Sequence, residues 1–81
     1  MDGFVDHYKV LQVDPDAELD VIKAAYRRLA RKYHPDVAAG AEAAERMAVI
    51  NAAWRVLRDP RRRAEHDAAR RSTIGEIPGM A

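Results

Sequence analysis

Apolar positions fall along this chain in short runs of helical period, each closed by a proline or glycine signal. Val5, Tyr8, Val10, Leu11 and Val13 predict a helix of about two turns, which Asp14-Pro15 interrupts. From about Glu18 to Tyr33, the residues Ile22, Ala25, Tyr26, Leu29, Ala30 and Tyr33 share one face at the i, i+3, i+4, i+7 spacing of an amphipathic helix. Asp16, Glu18 and Asp20 near its start and Arg31 and Lys32 near its end suit the helix dipole, with Asp16 as the expected N-cap. Pro35 lacks an amide hydrogen and pushes His34 out of helical dihedrals, so the chain turns there. After Gly40 a third helix is expected over Ala41 to Leu57, antiparallel to the second, with Met47, Ile50, Trp54 and Leu57 on its buried face. Val49, Ala53 and Val56 form a weaker strip that either meets the next helix or lies exposed. Asp59-Pro60 reads as an N-cap followed by proline at the first helical position, opening a fourth helix to Arg70. The expected class is all-α with four helices. Residues 1–4 form a lead, 5–70 the domain, and 71–81 a flexible tail or linker.

The length of 81 residues limits the core. A domain of this size buries only about 60% of the surface of its unfolded chain. Its stability is expected on the order of 5 kcal/mol. Tyr8, Leu11, Ile22, Tyr26, Leu29, Tyr33, Met47, Ile50, Trp54 and Leu57 are the expected core. With no cysteine there is no disulfide framework, thiolate nucleophile or cysteine-based zinc site, which suits a reducing, cytoplasmic setting. The start, Met1 to Tyr8, carries Asp2 and Asp6 and no apolar run, so neither a signal peptide nor a membrane span is expected.

Charge changes the picture locally rather than globally. Fourteen Lys and Arg against 13 Asp and Glu nearly cancel, which removes the broad basic footprint of a dedicated nucleic-acid binder. On a wheel of about 100° per residue, Lys23, Arg27 and Arg31 form one stripe flanked by Arg28 and Lys32, opposite the apolar face. A charge run on a helix is most simply a solvated face. Here no acid interrupts Ile22 to Tyr33, so pairing within the helix cannot neutralise the stripe, and like charges at i, i+4 repel.

His34-Pro35-Asp36 follows directly. By itself the tripeptide is a turn, with His34 able to cap the helix and Asp36 to serve as a turn residue. Catalysis fails on inventory, because no serine or threonine lies between Met1 and Arg71. His7, His34 and His66 lack metal-ligand spacing, so no metal or cofactor is expected. Arg61, Arg62, Arg63, Arg70 and Arg71 could meet phosphates, but Glu65 and Asp67 dilute them and no aromatics interleave, so nucleic acid is a minority reading.

Four motifs in order, HYKVLQV, IKAAYRRLARKYHPD, INAAWRVLRDP and RRRAEHD, resemble the J-domain of DnaJ-type (heat shock protein 40 class) co-chaperones from Asp6 to Asp67. The resemblance implies an antiparallel hairpin of helices two and three with the His-Pro-Asp loop at its tip. It implies a monomeric domain whose partner is a DnaK-type chaperone of the heat shock protein 70 class. Lys23, Arg27, Arg28, Arg31 and Lys32 would meet that partner's ATPase domain, while His34, Pro35 and Asp36 would trigger ATP hydrolysis and so promote client capture in protein folding and stress response. Arg63 and Asp67 match structural positions of the fourth helix. Met47, Trp54 and His66 replace a phenylalanine and two tyrosines common in the family, and Gln12 stands where glycine is frequent. The client-binding parts of longer DnaJ-type proteins have no counterpart here, so client binding is not expected of this chain by itself, and the tail without periodicity suits a longer parent protein.

Overall fold

The computed structural model describes residues 4–75. Helices α1 (His7–Leu11), α2 (Leu19–Tyr33), α3 (Ala41–Leu57) and α4 (Pro60–Arg70) follow one another, and a single wider π-type turn spans Arg71–Gly75. No strand occurs among the described residues.

Each helix boundary has a local cause. The Asp6 carboxylate accepts the Tyr8 and Lys9 amides at 3.1 and 3.4 Å, starting α1 two residues later than Val5. Gln12 ends it in the left-handed region, at φ 62° and ψ 44°, with its amide donating to the Lys9 carbonyl. A side chain in that region costs about 1 kcal/mol relative to glycine. The N-cap of α2 is Glu18 rather than Asp16. Asp14 decides this: its carboxylate accepts the Asp16 amide at 2.7 Å and its carbonyl accepts the Ala17 amide at 2.9 Å. That turn carries the chain through Asp16 and Ala17, and the first helical amides, of Val21 and Ile22, donate to the Glu18 carbonyl. Gly40, at φ 107°, leads into α3 in a conformation that side chains rarely adopt. Asp59 caps α4 as the sequence predicts, accepting the Arg61 and Arg62 amides at 2.9 and 3.4 Å.

Helices α2 and α3 run antiparallel, since Tyr26 meets Asn51 and Trp54 while Tyr33 lies beside Arg46. Tyr8, Leu11, Ile22, Leu29, Ile50, Ala53 and Leu57 are buried together where α1 packs on the hairpin. Tyr26, Tyr33, Met47 and Trp54 are half-buried at the edge of this cluster, not enclosed by it. The Tyr26 and Trp54 rings stack at 5.2 Å, and the Tyr26 hydroxyl donates to Asn51 at 2.8 Å. The strip left open by the sequence splits: Ala53 is fully buried, Val56 is half-buried against the core, and Val49 is exposed.

A polar clamp fixes α4. Arg63 donates through Nε to the Tyr8 hydroxyl at 2.8 Å, and through Nη2 to the carbonyls of Pro15 and Ala17 at 3.1 and 2.7 Å. The Tyr8 hydroxyl donates to Asp67 at 2.6 Å. Burial first, and then that carboxylate, push the Tyr8 pKa up. Arg70 reaches Asp6 at 3.1 Å. Burial pushes the Asp6 carboxyl up, but the Arg70 hydrogen bond and the amides it caps outweigh this and hold it below the usual carboxylate range. The lead is not a loose extension at Phe4, whose ring stacks on His66 at 5.3 Å. Nor does a linker begin at 71, because Arg71–Gly75 continue the helical path. Residues 1–3 and 76–81 of the expected lead and tail lie outside the described residues.

Candidate functional site

His34 has φ −64° and ψ 142°, the extended backbone that a following proline enforces. Its carbonyl accepts the amides of Val37 and Ala38, both at 2.8 Å, closing a turn over Pro35-Asp36-Val37. The Asp36 amide donates to His34 Nδ1 at 3.1 Å. An Nδ1 that accepts carries a lone pair, so the neutral ring bears its proton on Nε2. The Asp36 carboxylate lies 3.6 Å from the same Nδ1 with 87% of its side chain exposed. The turn thus holds a ring donor and a carboxylate in fixed relation, with proline removing backbone freedom between them. This arrangement suits recognition; no hydroxyl or thiol nucleophile accompanies the pair.

The loop stands between two shallow, mainly apolar clefts. One, of about 420 Å³, is lined by Ala30, Arg31, His34, Asp36 and Val37. The other, of about 490 Å³, lies beneath Pro35 and includes Tyr33, Ala44, Met47, Ala48 and Asn51. Val37, 71% exposed, is an apolar side chain displayed beside the tripeptide. Sequence reasoning passed over it as a loop residue; an exposed valine next to a rigid turn was the available signal.

Lys23, Arg27, Arg28, Arg31 and Lys32 are all exposed along α2, and no acid among the described residues lies within 4.0 Å of them. Arg31 shares a cleft with His34 and Asp36, so the stripe runs into the loop. Lys23 is about 12 Å further back along the helix. Arg28 stands apart, donating to Gln12 at 3.4 Å, which ties it to the end of α1. Lys32 lies over the Tyr33 ring at 5.5 Å, and Arg46 of α3 approaches the same ring at 5.7 Å. Arg46 therefore extends the basic surface across the hairpin. Helix periodicity within α2 could not reveal it, because it comes from the other arm.

The α4 arginines are differently placed. Arg63 is half-buried in the clamp, Arg70 pairs with Asp6, Arg61 lies 3.6 Å from Glu65, and Arg62 lies 4.0 Å from Asp59. Of the five sequence candidates for phosphate contact, two are thereby tied into the fold and two more each face an acid at the surface. Among the described residues, no three His, Cys, Asp or Glu side chains gather as a metal site, and no helix is long and apolar enough to cross a membrane.

Comparison with known proteins agrees with this geometry. The family model of the DnaJ domain matches residues 6–67. A curved DNA-binding protein of Pseudomonas putida (strain W619) is 52% identical over 68 residues, covering 84% of this chain and 22% of the relative. Its namesake in Serratia proteamaculans (strain 568) is 51% identical over 67 residues, covering 83% and 22%. The Escherichia coli O9:H4 (strain HS) protein of that name is 52% identical over 62 residues, covering 76% and 20%. The chain thus spans about a fifth of the length of these relatives. Four helices in J-domain order, the His-Pro-Asp turn at the hairpin tip and the match over residues 6–67 give one conclusion: the chain belongs to the DnaJ domain family of co-chaperone modules.

Proposed function

We propose that this module docks on a DnaK-type chaperone of the heat shock protein 70 class and stimulates its ATP hydrolysis. The supporting observation is the His34-Pro35-Asp36 turn, held by the Asp36 amide to His34 Nδ1 bond, at the end of a basic stripe that meets no acid among the described residues. Lys23, Arg27, Arg31 and Lys32 steer and orient the domain, while Asp36 and the outward ring donor of His34 make the specific contacts. Exposed ion pairs contribute roughly 0.2–1 kcal/mol each, so docking is weak, reversible and salt-sensitive, which suits repeated cycles. Stimulation requires that the module bind the hydrolysis-competent state of the partner better than the resting state.

A single-turnover ATPase assay on a DnaK-type chaperone tests the proposal. The wild-type chain accelerates hydrolysis, and His34→Gln, with an unchanged helical spectrum, does not. Equal acceleration by both proteins refutes the trigger. The relatives are named for binding curved DNA, and they are proteins about four times as long as this chain. Because Arg63 and Arg70 are tied into the fold and the exposed Arg61 and Arg62 each lie beside an acid, the chaperone reading is preferred for this module. A gel shift on curved duplex at moderate salt should show no retardation.

A further inference from the structure

Past Asp36 the tip of the hairpin carries no polar side chain. Val37, Ala38, Ala39, Gly40 and Ala41 follow one another, and the next charge is Glu42. Ala38 is half-buried and the other four are exposed. A loop that faces water is ordinarily polar, and an exposed apolar run of this length is a fault in a sequence unless it has a function. Val37 is its most prominent member: at 71% it is the most exposed large apolar side chain among the described residues. One valine alone at the surface needs no explanation. A valine at the centre of an apolar run, directly after the His-Pro-Asp turn, does.

The backbone holds this side chain in one place. The amides of Val37 and of Ala38 both donate to the His34 carbonyl at 2.8 Å, so the chain is fixed on either side of the Val37 α-carbon. Branching at Cβ restricts the side chain to few rotamers. Gly40, at φ 107°, then turns the chain into α3. A group presented in this way loses little conformational entropy when a partner covers it, so most of the gain from its burial goes into binding.

The surroundings state what would cover it. Val37 lines the cleft of about 420 Å³ together with Ala30 of α2, His34, Arg31 and Asp36. Pro35, Ala38 and Ala39 border the second cleft, which reaches Met47 on α3. The apolar surface is therefore continuous around the tip. Its charged neighbours in the first cleft are Arg31, the last cation of the stripe, and the exposed Asp36 carboxylate. A complementary surface is aliphatic at its centre, with an acid facing Arg31 and a cation or amide donor facing Asp36.

We propose that Val37 is an apolar specificity contact, which enters an aliphatic recess on the DnaK-type partner beside the site that receives Asp36. The inference rests on the docking reading above and adds to it a contact that salt does not weaken. Ion pairs of the α2 stripe are screened as ionic strength rises, whereas burial of apolar surface is not. The stripe then governs how fast and in which orientation the module arrives, and Val37 governs which DnaK-type chaperone retains it. A chaperone with a charged side chain in place of the recess is rejected, because valine would strip that charge of water and offer no hydrogen bond in return.

The experiment is the single-turnover ATPase assay with the full 81-residue chain, its rate followed against module concentration at low and at high salt, for wild type, Val37→Thr and Val37→Ala. Threonine keeps the branched shape and exchanges one methyl for a hydroxyl; alanine removes both methyls. Neither change reaches the core, so thermal melting should not move. The concentration for half-maximal acceleration is expected to rise about fourfold for threonine, the factor for one buried methylene, and about tenfold for alanine. Each factor should be the same at both salt concentrations, whereas the effect of charge reversal at Arg27 and Arg31 shrinks at high salt. Superimposable curves for the three proteins, or a threonine effect that disappears at high salt, overturn the Val37 contact, and acceleration by the wild type still upholds docking. Absence of acceleration by the wild type overturns the docking reading itself, and the contact with it.

Discussion

Replacing Arg63 with alanine should be the most damaging single change in α4. The guanidinium meets the Tyr8 hydroxyl and the carbonyls of Pro15 and Ala17, and lies over the Tyr8 ring at 5.4 Å. Its loss leaves two carbonyls between α1 and α2 without their donor and sets Asp67 beside Tyr8 with no neighbouring cation. Hydrogen bonds to a charged group are worth about 1.5–3 kcal/mol each. Three of them on one side chain are not additive, so we expect a total of roughly 2–4 kcal/mol. Against a stability on the order of 5 kcal/mol this is most of the margin. The melting temperature should drop by roughly 10–25 °C. Thermal and urea unfolding followed by circular dichroism at 222 nm measures it, with Arg61→Ala as the control on the same helix. Arg61 is 87% exposed and reaches only Glu65, so its removal should stay within about 0.5 kcal/mol of wild type. Equal losses in the two variants would refute the clamp and reduce Arg63 to another surface charge. Arg63→Lys should not rescue, because a point charge cannot span Tyr8, Pro15 and Ala17 together.

Three further changes probe separate links. Gln12→Gly relieves the left-handed backbone at φ 62° and should raise stability by about 0.5–1 kcal/mol in urea melts, less the small contribution of the Arg28 contact. Asp59→Ala removes the acceptor for the Arg61 and Arg62 amides and should cost about 1 kcal/mol in the same assay. Charge reversal at Arg27 and Arg31 should weaken docking on a DnaK-type chaperone in surface plasmon resonance, more at low than at high salt, with helicity unchanged. Undiminished affinity would make the stripe a solvated face.

The stability changes act on elements that hold the hairpin rather than on its tip. Arg63, Asp59 and Ala53 lie in or beside the packed base, whereas His34, Asp36 and Val37 are exposed at the far end. Variants at the base should therefore change activity chiefly through the folded fraction, and variants at the tip through contact with the partner. Measuring melting and ATPase stimulation on the same samples separates the two.

Much of this domain was legible from local rules. Asp59-Pro60 announced the start of α4 because an N-cap and a fixed φ act within one turn, and Pro35 fixed the end of α2 for the same reason. The unneutralised α2 stripe and the adjoining His-Pro-Asp turn could also be read, since side-chain placement on a helix follows its period. What sequence could not supply were relations between residues distant along the chain. Asp16 falls in the turn that Asp14 closes, two residues before the Glu18 N-cap, a placement the backbone path resolves. Ala53 belonged to the core and Val49 to the surface, although both fall on one periodic strip, because α1 covers only part of α3. Arg46 joined the basic surface through Tyr33 of the opposite arm. Arg63, which the resemblance set at a structural position, and His66, which stands for a family tyrosine, have partners 46 to 61 residues away that no local pattern names. Periodicity and capping are short-range and written in sequence; the pairing of a buried polar group depends on which donors and acceptors the packed chain brings to it, and only the tertiary structure decides that.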